Sequence, residues 1–256
     1  MRLFQKWVES RYSSFTLPIL SAIALLIVWE VGVRVLQIRT FILPAPSAIL
    51  GELNTWGDTV FKHSLQTLWT TTVGFVLAIG AGILLGFLIG YSKFAYKSLY
   101  PLLVGFNTIP KVALVPLLAL WFRIGATPAI ITAFLLAFFP IAVNVAVGLA
   151  TVEPEMQDVL RSLGASQWEI FQKVGLPHSL PYLFASLKVA ISLAFVGSVI
   201  SETVASNAGL GYLIVSATST FDVPLAFLGL SILGLMGILL YSVCLLLEVY
   251  WIPWQR

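Results

Sequence analysis

The sequence predicts an all-α, polytopic membrane protein with six transmembrane helices. Three observations carry that expectation. Of the 256 residues, 59% are hydrophobic and 10% charged, where a soluble domain carries about 25% charged residues. Mean hydropathy is +0.98. The apolar residues gather into six runs, each close to the roughly 20 residues that cross a bilayer as a helix.

Residues 1–15 are polar and basic, with Arg2, Lys6 and Arg11. They read as a short N-terminal segment before a single membrane domain, residues 16–256. The first run, residues 15–38, is too long for a signal-peptide core and shows no small-residue cleavage site, so it reads as a retained span. Within it Glu30 and Arg34 stand four apart and pair on one helix face. Leu43-Pro44-Ala45-Pro46-Ser47 is a rigid lead-in to a short surface helix, with Ile49, Leu50, Leu53 and Trp56 on its apolar side.

The second span is residues 64–90. Its Gly74, Gly82, Gly86 and Gly90 line one face and let another helix approach closely. A loop over residues 91–98 follows, with Lys93 and Lys97. The third span, residues 99–122, contains Pro101, Pro110 and Pro116, so it is expected to kink. Irregular backbone at membrane depth is tolerated against protein or a water-filled cavity, which makes this span a candidate wall of a translocation path. Lys111 falls near its middle, where insertion costs about 2.5–3.5 kcal/mol. The fourth span, residues 129–150, is broken by Pro140 and carries Asn144. The fifth, residues 182–203, has Glu202 near its end, and a Gly-rich segment with Gly209-Leu210-Gly211-Tyr212 leads to the sixth, residues 224–250. Tyr250, Trp251 and Trp254 form an aromatic belt. Pro110, Lys111, Pro116, Asn144 and Glu202 are the candidate path and gate residues.

Between the fourth and fifth spans lies the longest polar interruption of the second half, Glu153 to Pro177. Pro154 suits a first helical position. Met156, Val159, Leu160 and Leu163 make one apolar stripe, and Glu155, Asp158, Arg161 and Ser162 take the other face. Gly164 ends that helix in a left-handed conformation. Ser166 and Glu169 form a capping box that starts a second helix, which Gly175 and Pro177 are expected to stop.

This order of residues resembles the cytoplasmic loop of ABC importer permeases, written E-A-A, three residues, Gly, nine residues, I-x-L-P. Asp158-Val159-Leu160 stand in place of E-A-A, Gly164 matches the Gly, Val174 stands for Ile, and Leu176-Pro177 match. The first triplet departs from the pattern, keeping only its acid. Leu43-Pro44-Ala45-Pro46, Pro110 to Pro116, Trp121 to Gly125, Phe139-Pro140 and Gly209 to Tyr212 are similar to the nitrate, sulfonate, taurine and pyrimidine-precursor group of that family. The resemblance implies a type I importer permease fold and transport of a small solute, such as nitrate, a sulfonate or a pyrimidine precursor. It implies two ATPase subunits that hold the ATP and Mg, a second permease copy forming a homodimer, and an extracytoplasmic solute-binding protein. Asp158, Arg161, Ser162, Gly164, Ala165, Ser166, Glu169, Leu176 and Pro177 are then the residues that couple to the ATPase.

Charge placement adds an orientation. Alternate segments starting from the N-terminus hold Arg2, Lys6, Arg11, Lys93, Lys97, Arg161, Lys173 and Arg256, against Arg39, Lys62 and Arg123 on the other side. The positive-inside rule puts both termini and the helix pair in the cytoplasm of a bacterial inner membrane. The net charge of +3 gives no reason to expect nucleic acid as a partner. Cys244 is the single cysteine, and His63 and His178 show no metal-ligand spacing. Gly-Lys never occurs, so the chain has no phosphate loop of its own and no cofactor is expected on it. An ion-coupled secondary carrier is the alternative. It would call for membrane carboxylates and internal repeats; only Glu30 and Glu202 qualify, and no repeat is evident. A membrane-embedded enzyme would need a nucleophile with its base, which the sequence does not display.

Overall fold

The computed structural model describes residues 13–252. Arg2, Lys6 and Arg11 of the basic N-terminal segment lie outside these residues, as do Trp254 and Arg256. The described chain is helical. The helices are α1 (Ser13–Val35), α2 (Pro46–Gly51), α3 (Leu53–Gly90), α4 (Lys93–Asn107), α5 (Val115–Phe122), α6 (Ala126–Ala150), α7 (Pro154–Ser162), α8 (Gln167–Ile170), α9 (Leu176–Ala205), α10 (Leu210–Ser219) and α11 (Val223–Trp251). Five helices are long and apolar enough to cross a membrane, and α4 with α5 makes a sixth span bent by 68°.

The centre of the bundle is α6, packed between α3 and α9. The glycine stripe explains the closeness. A Cβ at Gly74 would sit 2.6 Å from the Ala133 Cβ, at Gly86 2.7 Å from the Ala142 carbonyl, and at Gly90 2.8 Å from the Ala146 carbonyl. Ala78 occupies the position between and is fully buried. Small residues face small residues across this seam, which is how helices associate where lipid gives no hydrophobic drive. Large apolar side chains on α1, on α11 and on the lipid-length stretches of α3 remain exposed, as a chain dissolved in hydrocarbon requires.

At the end of the bundle away from α7, α1 is tied to the start of α2. Glu30 accepts from Arg34 Nε at 2.6 Å, from the Ser47 amide at 3.0 Å and from the Ser47 hydroxyl at 2.8 Å. The expected pair therefore forms and also fixes the proline-rich lead-in.

Several expected boundaries move. The surface helix shrinks to six residues, and Leu53 and Trp56 belong to α3, which starts eleven residues before residue 64. Of its apolar side only Ile49 is buried. The loop over residues 91–98 is mostly helix, because the Ser92 hydroxyl caps Ala95 and starts α4 at Lys93. Pro140 does not break the fourth span, and α6 runs through it. The third span does break, and the reason is a pair of prolines. The residue before a proline avoids helical angles, so Pro110 closes the preceding segment, while Pro116 suits the first turn of α5. Between them Lys111–Leu114 form one 3₁₀ turn. Gly175 and Pro177 do not stop the second helix of the pair. Phe171–Gly175 form a π turn, and the chain continues straight into α9. A widened turn there relieves the clash between the Pro177 ring and the carbonyl four residues back.

Candidate functional site

The helix pair stands at one end of the bundle, and its start at Pro154, its turn at Gly164 and its capping box form as the sequence predicts. Pro154 opens α7. At its end the Gly164 amide donates to the Arg161 carbonyl and the Ala165 amide to the Leu160 carbonyl, both at 3.0 Å. This is the Schellman arrangement, and it needs a left-handed residue at Gly164, whose φ is +84°. Ser166 and Glu169 then bond reciprocally. The Ser166 amide reaches the Glu169 carboxylate at 2.8 Å, and the Ser166 hydroxyl accepts from the Glu169 amide at 3.3 Å. The amide and hydroxyl of Ser166 hold the Glu169 carboxyl below its ordinary pKa. Asp158 accepts from Arg161 at 2.9 Å on the exposed face. Ser162 bonds back to the Val159 carbonyl.

No residue of α7 is buried. Its apolar stripe is largely bare, with Leu163 at 78% and Val159 at 59% exposure. Trp168 stacks on Phe171 of the π turn, with centroids 5.3 Å apart, and Phe171 meets Phe87 of α3 edge-on. The pair is thus held internally by these caps and joined to the bundle through Phe171 and the buried Ile170, while its outer surface has no partner among the described residues.

The second constellation lies at the opposite end and centres on Glu202. Its exposure is 1%, so it is not a solvated interfacial carboxylate. Thr67 donates to its Oε2 at 2.8 Å, the Gly211 amide to Oε2 at 3.1 Å, and Thr70 to Oε1 at 3.2 Å. The Thr70 hydroxyl also meets the Ser198 hydroxyl at 2.7 Å. Thr67 accepts in turn from the Leu210 amide at 2.8 Å, and His63 Nδ1 accepts from the Gly209 amide at 2.9 Å. A buried carboxylate is tolerated only when such donors replace water. Here they come from α3 and from the start of α10, so one side chain on α9 fastens three elements. Gly209 has φ +104°, and a Cβ there would run into the Glu202 carboxyl group. A Cβ on Gly211 would lie 2.5 Å from the Val199 carbonyl.

Sequence reasoning found Glu202 but missed its partners. His63, Thr67 and Thr70 on α3 face Gly209 and Glu202 across more than a hundred residues of sequence. The only local hint was a set of threonines inside an apolar span. Helix α10 itself was missed; it is an apolar helix too short to span, packed through Leu210, Leu213 and Ala217. A further unforeseen contact is the ion pair of Lys188 on α9 with Glu248 on α11, at 2.7 Å and largely buried.

Lys111 lies at the bend of the third span, half-buried. Its Nζ donates to the Asn107 side chain at 2.6 Å and lies 5.8 Å from the Phe139 ring centroid. Asn144 turns back on its own helix and donates to the Pro140 carbonyl at 2.8 Å. No hydrogen bond joins Lys111, Asn144 and Glu202 to one another.

The chain matches the family described as the binding-protein-dependent transport system inner membrane component over residues 78–254. A formylaminopyrimidine transport permease protein of Halalkalibacterium halodurans is 32% identical over 240 residues, covering 93% of this chain and 96% of the relative. A riboflavin transport system permease protein of Chloroflexus aurantiacus is 34% identical over 235 residues, covering 90% and 87%. An inward-facing structure of the MetNI methionine ABC transporter has a TM-score of 0.61 at 21% identity, covering 78% of this chain and 98% of that one, which shows the type I importer permease fold. The chain belongs to the family of inner membrane components of binding-protein-dependent transport systems.

Proposed function

We propose that this permease carries a small solute inward, driven by ATP that two partner ATPase subunits bind and hydrolyse with Mg. It pairs with a second copy of itself and receives the solute from an extracytoplasmic binding protein. It holds no cofactor of its own. Residues 16–256 act as one membrane domain, with both termini and the helix pair in the cytoplasm.

One observation carries this reading. The turn between the two helices is fixed by the Gly164 turn and the Ser166–Glu169 capping box, yet the pair's apolar stripe and its Asp158–Arg161 face are left without a partner among the described residues. A short rigid element of this kind fits a groove on an ATPase and passes on its closure as a rigid-body rotation of the spans. Asp158, Arg161 and Ser162 form the docking face, and Gly164 and Ala165 the turn. Ser166 and Glu169 hold the second helix, and Leu176-Pro177 join it to α9. Pro110, Lys111, Pro116 and Asn144 belong to the path, and Glu202 to its gate at the far end. The relatives named for formylaminopyrimidine, riboflavin, aliphatic sulfonates, taurine and nitrate define the panel of solutes to test. A cation at the bend favours the anions and the electron-rich heterocycles among them.

The test is uptake into proteoliposomes that hold the permease and its ATPase, with the binding protein outside. Uptake is expected to need ATP on the ATPase side and to survive ionophores that collapse ion gradients. Uptake that persists without ATP and dies with the gradient would establish the ion-coupled alternative instead.

A further inference from the structure

Two cavities meet behind the helix pair, and their linings differ in kind. The first, of about 370 Å³, lies between the end of α3, the start of α4, the end of α6 and the helix pair. Lys93, Lys97, Tyr91, Tyr96, Thr151, Gln157 and Gln167 supply its polar side chains. The second, of about 290 Å³, runs deeper between α3, α6 and α9, and Ser179 is its single polar side chain. Leu149 and Phe171 line both, so the two cavities adjoin across a shared wall and together make one groove behind the helix pair. No carboxylate lines either part, and neither lysine has an ion-pair partner among the described residues.

A basic chamber at the end of the spans that adjoins an apolar slot along them matches an amphipathic anion. We propose that the groove binds an anionic phospholipid of the leaflet on the helix-pair side. Its phosphate sits between Lys93 and Lys97, and an acyl chain lies along Ile83, Leu84 and Leu183. Basic pockets between spans on the cytoplasmic side take such headgroups. The placement gives the lipid a purchase on coupling, because Phe171 belongs to the π turn that joins the helix pair to α9. Assignment to the cytoplasmic leaflet rests on the proposed orientation; the binding itself does not.

The test is native mass spectrometry of the purified permease–ATPase complex, released from vesicles of phosphatidylcholine mixed with phosphatidylglycerol. Retention of phosphatidylglycerol over phosphatidylcholine is expected. The double variant Lys93→Ala, Lys97→Ala should weaken retention about 30-fold, the share of two basic residues near an anionic lipid surface. Gly80→Leu should block the slot, since a Cβ at Gly80 meets nothing within 4 Å and the side chain has room to enter. Displacement of the lipid by inorganic phosphate at equal concentration, with Gly80→Leu unchanged, would mean a free-phosphate site and overturn the lipid assignment. Equal retention of both lipids, or no loss in either variant, would overturn the site altogether. Retention is read by mass without transport, so its failure leaves the importer reading standing, and ATP-independent uptake would leave the lipid result standing.

Discussion

Replacement of Gly164 separates two reasons for a glycine at the turn of the helix pair. Its φ of +84° costs a residue with a Cβ about 1–2 kcal/mol. Within this chain an added Cβ meets nothing within 4 Å, so backbone strain is the whole intramolecular cost. That strain acts on the Schellman turn, and at about 1.4 kcal/mol per factor of ten it reduces the population with the correct turn by roughly 5- to 30-fold. Asn adopts left-handed angles more readily than Ala, so strain alone orders the variants Gly, Asn, Ala, Val from best to worst. Contact with an ATPase adds a size penalty, and Asn then falls to the level of Ala or below it. The assay is co-purification of the ATPase with each variant, beside ATP-driven uptake. Gly164→Val should insert normally and lose both. If it keeps the bound ATPase and full uptake, the coupling role of this turn is wrong.

Three further outcomes are expected. Glu202→Gln replaces one acceptor oxygen facing Thr70 by a donor amide, a change on the scale of 1.5–3 kcal/mol for a bond to a charged group; uptake should fall while the ATPase still co-purifies, and wild-type uptake would remove the gate role. Lys111→Cys should react with a membrane-impermeant thiol reagent in one transport state and not the other, against a low background because Cys244 is the single native cysteine and is buried; protection in every state would place residue 111 off the path. Gly86→Val should lower the yield of folded protein by overpacking the α3–α6 seam, at about 1–3 kcal/mol, while Gly57→Val, with nothing within 4 Å and a better helix former in place of glycine, should keep its yield; equal yields would show that the seam is not close-packed there.

What was legible in the sequence was what depends on near neighbours. The turn at Gly164 and the box of Ser166 and Glu169 are set within six residues, and both form. The glycines of α3 repeat at helical spacing, so the face they line could be read without knowing that α6 fills it. The prolines were harder, because one proline lowers helix stability without fixing where the chain goes. Pro140 stays inside α6 and Pro177 inside the run from the π turn to α9, while Pro110 and Pro116 together break the third span. Glu202 could be located but not interpreted. A carboxylate near a span end is solvated or buried according to what lies across from it, and Thr67, Thr70 and Gly211 come from two other elements.

The same geometry explains why the two constellations sit on one helix. Helix α9 has 30 residues, about 45 Å at 1.5 Å per residue. Glu202 is fixed near one end to α3 and α10 by three hydrogen bonds. The helix pair is attached at the other through the π turn. Lys188 ties the middle stretch to α11 through Glu248, an apolar-flanked pair whose separation would leave two uncompensated charges. A stiff rod held at both ends and braced between them cannot absorb a displacement of the helix pair by bending alone. A tilt imposed at Phe171 must therefore be met at Glu202, either by α3 and α10 moving with α9 or by release of the hydrogen bonds that Thr67 and Gly211 make there. The buried carboxylate suits that task better than an apolar residue, because directional bonds to one acceptor hold firmly in one geometry and weaken steeply when the donors swing away.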